Sequence, residues 1–502
     1  MASYINTNVA SLNAQINLSN SQAGLSQSLQ RLSSGLRINS AADDAAGLSI
    51  STRMTSQING FTQAAKNAND GISLAQTAGG ALSSVSSNLQ TLRQLSVESA
   101  NATNTTADRQ SLNAQAQQIL AAIQNTATTT QFNGQNLLDG TFQSEQFQVG
   151  ANANQTINVS VQGATTDTLG NYGGAGTSAV SNVAWTTAST ISINGTTIGA
   201  SNATTAPGVS ASSAAAKATA INAESSLTGV TATASTTVAG ATATTGAITT
   251  GALWINGQAV GSIAQSSTEL GQIQNAANAI NAVSAQSGVT AKADATTGLL
   301  SLTAADGRDI NISASATSSA GVLAATGLTA TAFTDVGGVG GSGILANGNL
   351  DLTGAGNTGG TVTQGTLTLN SSSSISVTDI GAAGGSAAGG LTGYSSSLSS
   401  LASLDLSTVS GANAAINIVS AAINQINAQQ SNLGAVQNRF TSTISNLNTA
   451  STNLSAAQSR IQDTDYASET ANLAHYQILQ QAGTAMLAQA NSTPNSVLTL
   501  LR

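Results

Sequence analysis

The stretch "VSAAINQINAQQSNLGAVQNRFTSTISNLNTASTNL", Val419 to Leu454, decides the fold. Val419, Ile423, Ile426, Leu433, Phe440, Ile444, Leu447 and Leu454 fall on alternating four- and three-residue steps, and Gln430, Gln437 and Ser451 fill the other places on the stripe. A heptad sustained this long predicts a long helix packed in coiled-coil fashion, because a 3.5-residue repeat keeps one seam against a partner. The N-terminal third offers such partners. Leu18, Leu25, Leu29, Leu32 and Leu36 share one stripe; Ile58, Phe61, Ala65, Ala68, Ile72, Ala75, Gly79 and Leu82, continued by Val85, Leu89 and Leu92, share a second. A shorter set, Leu112, Ala116, Ile119 and Ile123, follows the turn-prone "SANATNTTADRQ". Ala and Gly on a seam let helices approach closely, and polar seam residues fix register at some cost in stability. Periodicity alone suits a single intramolecular bundle as well as seams shared between chains.

From about residue 132 the period changes. "FNG" and "LLDG" are turn signals, after which Phe147 and Val149, then Ile157, Val159 and Val161, alternate on either side of the loop "GANANQT"; a β-hairpin is expected there. The middle, about 178 to 395, carries an imperfect repeat. "ISINGTTIGA" and "AAAKATAINAESSLTGVTATAS" are echoed by "ALWINGQAVGS" and "IQNAANAINAVSAQSGVTAKAD" at a spacing of about sixty residues. Each copy reads as strand, Asn-Gly turn, strand, short helix and a further strand. The two copies are expected at about 185–250 and 251–315, and only the second continues clearly, through "GLLSLTAADGRDINISAS". "VGGVGGSG" and "GAAGGSAAGG" read as tight turns or linkers around the β-like "GTVTQGTLTLNSSSSISVTDI".

Composition excludes several functions. The 502-residue chain has room for several domains. With 12 Lys and Arg and a net charge of −8, it lacks the clustered cations that nucleic acid requires. No Cys is present, so neither disulfides nor thiolate metal sites can form. "MASYINTNVASLNAQINLSN" has no basic start or apolar run of a signal peptide, and no segment has the uninterrupted apolar length of a membrane span. Yet only 6% of residues are charged, and Ser, Thr, Asn and Gly abound, as in a secreted surface protein.

Catalytic candidates are few. His475, the single histidine, lies in an Ala/Leu/Gln-rich helical stretch, and no HExxH, P-loop or GxSxG pattern occurs. "ADGRDINIS" sets Asp306 and Asp309 about a Gly-Arg turn without the alternating acidic ligands of a calcium loop, so a β-turn is expected. The Gly-rich residues 337–342 lack the strand-loop-helix setting of a phosphate site. No catalytic residue, metal or cofactor is expected. One cluster of charge stands out in "RLSSGLRINSAADDAAG", Arg31 to Gly47. Asp43 and Asp44 are adjacent and point apart on a helix, a poor start for acid/base chemistry. Turn residues, Ser40 as a cap and acidic residues suited to a helix N-terminus predict a break between two helices, tied by Arg31, Arg37 and the aspartates.

At both ends these residues resemble bacterial flagellin. The N-terminal motifs are "INTNVASLNAQ", "LSQSLQRLSSGLRINSAADDAAGLSIS", "NANDGISLAQTAGGAL", "LQTLRQLSVESAN" and "QFNGQNLLDG". The C-terminal ones are "AINQINAQQSNLGAVQNRF", "RIQDTDYASETANLA" and "ILQQAGTAMLAQANSTPNSVLTLLR". The likeness covers about 1–140 and 410–502; the middle resembles the family's insert repeats.

The resemblance implies a multidomain α + β protein: long coiled-coil-like helices from both termini, a β-hairpin and a β-rich central insertion. It implies that 1–42 and 458–502 line the channel of a filament, that 43–178 and 396–457 form a helical rod with the hairpin, and that 179–395 is a surface-exposed insertion. It implies a structural subunit of the flagellar filament, not an enzyme, that travels unfolded through the type III export apparatus. The implied partners are copies of itself, the export chaperone (near Ala467–Arg502), the cap protein and hook-associated proteins, with neither nucleic acid nor membrane insertion. The implied subunit contacts are Leu25, Leu29, Arg31, Leu32, Leu36, Arg37, Asp43 and Asp44 at one end and Leu473, Tyr476 and Leu487 at the other. A Toll-like receptor reads the surface holding Thr91, Leu95 and Gln115 in many flagellins. Recognised members carry Arg at position 91 and Glu at 115, so weakened recognition is expected here. The alternatives are a hook-filament junction protein and a secreted β-rich adhesin.

Overall fold

A computed structural model describes residues 7–181, 183–186, 190–315, 322, 325–328, 333–336, 362–380 and 389–500. The Gly-rich stretches expected to turn at 337–342 and 381–388 lie outside the described residues. Helix α1 (Val9–Ser34) starts where the Asn8 side chain accepts from Ser11 N and stops where Gly35 takes the left-handed conformation. Helix α2 (Ala45–Ala100) begins at Asp44 and runs for 56 residues. Helix α3 (Thr106–Thr129) opens on a reciprocal capping box between Thr105 and Asp108. Buried Arg109 fastens this turn by donating from Nε to Ser99 O and from a terminal nitrogen to Asn101 O, at 2.9 and 2.8 Å. After the short β1 (Gln131–Phe132) and β2 (Gln135–Asn136), β3 (Glu145–Gln148) and β4 (Thr156–Val159) form an antiparallel hairpin with Phe147 opposite Ile157. The hairpin is the expected one; its register comes from the structure.

The β-rich middle contains two copies of one module, and they are nested. The inner copy is almost continuous: β9 (Leu253–Ile255), β10 (Gln258–Ala259), α6 (Glu269–Asn281), α7 (Ser284–Ser287), β11 (Thr290–Ala293), β12 (Leu299–Ala304) and β13 (Ile312–Ser315), with β14 (Phe333–Val336) added alongside β13. The outer copy is preceded by β5 (Gly170–Ala175) and contains β6 (Thr190–Ile193), β7 (Thr196–Thr197), α4 (Ala214–Ala223), α5 (Ser225–Thr228) and β8 (Val230–Thr242). Its remaining strands, β15 (Thr366–Ser371) and β16 (Val377–Ile380), lie beyond the whole inner copy. The first repeat therefore does not end near 250: "TLTLNSSSSISVTDI" is its counterpart of "LLSLTAADGRDINIS".

Hydrogen bonds establish this equivalence atom by atom. Asn222 exchanges a pair of bonds with the Ala232 backbone, and Asn281 does the same with Ala291. Asn194 donates to Thr228 O and accepts from Ser376 N; Asn256 donates to Ser287 O and accepts from Asn311 N. Asn194 and Asn256 have φ of 50° and 47°, and the following Gly195 and Gly257 have 84° and 78°, the two left-handed residues a tight hairpin turn demands. The long strand β8 joins both copies. Residues 230–235 pair with β15 and 236–242 with β12, giving the six-stranded order β11-β12-β8-β15-β5-β17, where β17 is Ser397–Ser400.

The chain returns as α8 (Val409–Gln462) and α9 (Tyr466–Leu500). The boundary expected between 457 and 458 falls inside α8, which continues to Gln462, where the chain leaves the helix through Asp463–Asp465. Helices α2, α3 and α8 and the hairpin share one core. Along α8, the every-seventh series Val419, Ile426, Leu433, Phe440 and Leu447 is buried, while Ile423, Gln430, Gln437, Ile444, Ser451 and Leu454 are half-buried. On α2 the expected seam holds from Leu82 through Leu92. Below it Ala68 and Ala75 are buried as expected, while Ala64, Gly71 and Ala78 are buried and the expected Ala65, Ile72 and Gly79 are half-buried. The Phe440 ring docks on Gly71, where no side chain competes.

Candidate assembly interface

Helices α1 and α9 pack along each other with small residues at the contact. An added Cβ on Gly24 would lie 2.6 Å from the Tyr476 ring, and one on Gly483 would lie 3.3 Å from Leu18. Ser11 Oγ meets Asn491 Oδ1 at 2.7 Å, and Asn8 Nδ2 donates to Ala490 O at 2.8 Å. The buried side chains of α1 are Ser11, Ser21 and Ser28. Leu18, Leu25 and Leu32 are half-buried, but other large apolar groups point elsewhere: Val9, Leu12, Ile16 and Leu29 are 51–56% exposed, and Ile478 and Met486 on α9 are 63% exposed. Among the described residues, neither helix contributes to the buried hydrophobic clusters. A groove of about 670 Å³, edged by Ala10, Asn17, Leu479 and Met486, runs along the pair. Apolar side chains left in water on a helix pair point to a further protein surface that covers them.

The residues named from the sequence are distributed as follows. Leu25, Leu32, Leu473 and Leu487 are half-buried on the pair, Leu29 is on its free face, and Tyr476 is turned inward onto Gly24. Leu36 lies past the end of α1 and forms a β-bridge with Asp463. Thr91 and Gln115 are exposed on α2 and α3, whereas Leu95 packs against the rod core.

Within Arg31–Gly47 the charges do not pair with one another, contrary to the expected tie. Asp44, not Ser40, caps α2, accepting from Gly47 N at 2.8 Å. Asp43 accepts from Ser40 N, Asn39 N, Ser40 Oγ and Gln27 Nε2, and these donors hold its carboxyl below the usual range. The arginines reach the returning chain. Arg37 donates from its backbone N to Gln462 O and from its guanidinium to Ile461 O, satisfying the last carbonyls of α8. Arg31 approaches Glu469 at 3.8 Å. Loop N–H groups lie closer to the aspartates than any cation, so the joint is held by backbone as much as by charge.

Other chemistry is sparse. Among the described residues no three His, Cys, Asp or Glu side chains converge, and no helix is long and apolar enough to cross a membrane. His475 is exposed on α9. Asp306 pairs with Arg308 at 2.6 Å across the expected turn, while Asp309 is buried.

Comparison with known proteins decides the family. Residues 5–143 match the profile of the bacterial flagellin N-terminal helical region, and 416–501 that of the C-terminal helical region. The chain is 41% identical over 504 residues to the B-type flagellin of Pseudomonas aeruginosa, covering all of both chains. The chain belongs to the bacterial flagellin family. It is likewise 36% identical over 527 residues to the flagellin of Salmonella typhimurium, again along the whole of both. A solved FliC structure from Burkholderia pseudomallei is 19% identical, covering 74% of this chain and 99% of that one, with a TM-score of 0.29. As a flagellin the chain is a structural subunit of the flagellar filament, and full-length identity to flagellins sets the hook-filament junction reading behind it.

Proposed function

We propose that α1 and α9 form the polymerising end of the subunit, covered in the filament by the same helices of neighbouring copies. One observation carries this: the buried side chains of the 26-residue α1 are three serines, while Val9, Leu12, Ile16 and Leu29 are each more than half exposed. An identical heterologous contact repeated from copy to copy generates an open helical tube. In this reading Leu25, Leu29, Leu32, Leu473 and Leu487 meet neighbours, and Arg31, Arg37, Asp43 and Asp44 set the angle between terminal pair and rod. Residues 1–42 and 458–502 line the channel, 43–178 and 396–457 form the rod layer, and 179–395 faces solvent. The role is mechanical and extracellular, without catalysis. Purified protein should extend filament seeds into long tubes, and deleting either α1 or α9 should abolish this; a truncated chain that still polymerised would overturn the reading.

By family resemblance the chain also meets an export chaperone through Ala467–Arg502, the cap protein and hook-associated proteins. Recognition by the Toll-like receptor is weakened because Thr91 and Gln115 replace charged contacts worth a few kcal/mol. Thr91→Arg combined with Gln115→Glu should raise the response of receptor-reporter cells; an unchanged dose response would refute it. A secreted adhesin would account for the β-rich middle but not for the apolar helices at both ends.

A further inference from the structure

We propose that Asn133 is a site of spontaneous covalent modification on the rod, where the side-chain amide is lost as ammonia and an aspartate or isoaspartate takes its place. In an Asn-Gly pair the glycine nitrogen has no neighbouring side chain to hinder its attack on the asparagine Cγ. The glycine N–Cγ bond forms, the Cγ–Nδ2 bond breaks, and the proton of the glycine nitrogen leaves with Nδ2 as ammonia. Water then opens the five-membered imide at one of its two carbonyls. Opening at one leaves aspartate; opening at the other leaves isoaspartate, with the backbone routed through Cγ. Water is the co-reactant, and no catalytic group is required.

The fold treats the Asn-Gly pairs of this chain differently. Asn59 and Gly60 are inside α2, where the glycine nitrogen is committed to the helical ladder. Asn194 donates to Thr228 O at 2.9 Å and accepts from Ser376 N at 2.9 Å. Asn256 donates to Ser287 O at 3.0 Å, accepts from Asn311 N at 2.8 Å and is fully buried. Each of these two amides must surrender both bonds before its Cγ can turn toward the glycine. Asn133 is exposed, and no such bonds hold its side chain among the described residues. Asn347 and Gly348 lie outside the described residues. Bringing Gly134 N onto Cγ requires the turn at Asn133, where φ is 50°, to open. The β1–β2 ladder beside it is two residue pairs long, and so short a ladder opens locally at little cost. The new carboxylate adds −1 to a net charge of −8, giving −9. Isoaspartate also lengthens the turn that leads into Leu137 and Leu138, both fully buried in the rod core. Residue 133 thereby records the age of a subunit.

The full-length monomer should be held at mildly alkaline pH, folded and in parallel unfolded in guanidinium chloride. Cleavage after Glu98, Glu145, Glu224 and Glu269 then puts Asn133, Asn194 and Asn256 on separate peptides. Mass spectra read the change from amide to acid at each asparagine, and labelling by isoaspartyl methyltransferase identifies the iso form. In the folded protein Asn133 should convert at least about tenfold faster than Asn194 or Asn256, the ratio expected when two hydrogen bonds need not be broken. In guanidinium the three rates should draw together, because the dipeptide is then the same at each site. Asn133→Gln should silence the site, since one more methylene makes the ring six-membered. If that variant fails to fold, the comparison of folded and unfolded wild type carries the test. A folded-state ratio below about tenfold, the same ordering in guanidinium, or undiminished conversion on the Asn133→Gln peptide would overturn the proposal.

Discussion

The Phe440 ring stands directly on Gly71: a Cβ at that glycine would lie 2.6 Å from the ring's Cζ. The same ring meets Phe147 of the hairpin edge-on, with centroids 5.6 Å apart and planes at 77°. One aromatic thus fastens α2, α8 and the hairpin together.

Gly71→Val should therefore destabilise the rod by about 1–3 kcal/mol through overpacking against the ring. Phe440→Ala should cost about 3–5 kcal/mol by leaving a cavity. A Gly71→Val, Phe440→Leu double variant should recover part of the loss. Calorimetric unfolding of the monomer checks all three, and strictly additive effects would contradict the contact.

At the joint, Asp44→Ala should destabilise the start of α2 by about 1 kcal/mol, as loss of a helix cap does. Replacing Asp43 and Asp44 by Lys together should spare export yet abolish or reshape assembly, scored by secreted protein against filaments under the electron microscope. The Asp43 carboxyl is depressed by its donors, so its contribution is present above the unfolded value of 3.8 and is lost as pH falls through its lower folded value. Normal filaments from the double Lys variant would mark these charges as ordinary surface.

Buried Lys217, Asp309 and Ser210 give the β-rich region a pH profile. Asp309, whose carboxylate accepts from Ser210 Oγ at 2.7 Å, is pushed up to about 6 by burial; Lys217, which donates to Ser181 O at 2.9 Å, is pushed down to about 8 by burial. A raised acid favours the folded state most when protonated, so stability should fall as pH rises from 3.8 to about 6. A lowered base reverses the slope, so stability should recover from about 8 to 10.5. Asp309→Asn should remove the first limb and Lys217→Met the second, each limb on the order of 1–3 kcal/mol. Fluorescence of buried Trp185, read in a Trp254→Phe background during unfolding, follows both limbs.

The nested modules predict that the inner copy can be excised. Ser235 faces Thr366 across β8 and β15, so replacing 236–365 by Asn-Gly would close those strands with a two-residue turn. The shortened chain should keep the outer sheet and polymerise from seeds, with some stability lost because Lys217 then lacks Asp309. Circular dichroism and electron microscopy provide the readout; collapse of the rod as well would show the two modules to be one folding unit.

The heptads of Val419–Leu454 and of the N-terminal third determined that long helices from both ends pack together, because a 3.5-residue apolar period leaves few other solutions. The paired Asn-Gly turns and Ile-Asn-Ala segments likewise determined a repeated module, since these signals act over a few residues. What they left open is non-local. Only the tertiary structure decided that Gly71 rather than Ile72 receives Phe440, a contact between residues far apart in the chain. Only it decided that Asp43 and Asp44 serve backbone N–H groups while Arg37 crosses to Ile461, a residue 424 positions away. It alone placed β15 beside β8 across the inner module, since strand pairing depends on complementary edges meeting in space and leaves no periodic trace in the chain between.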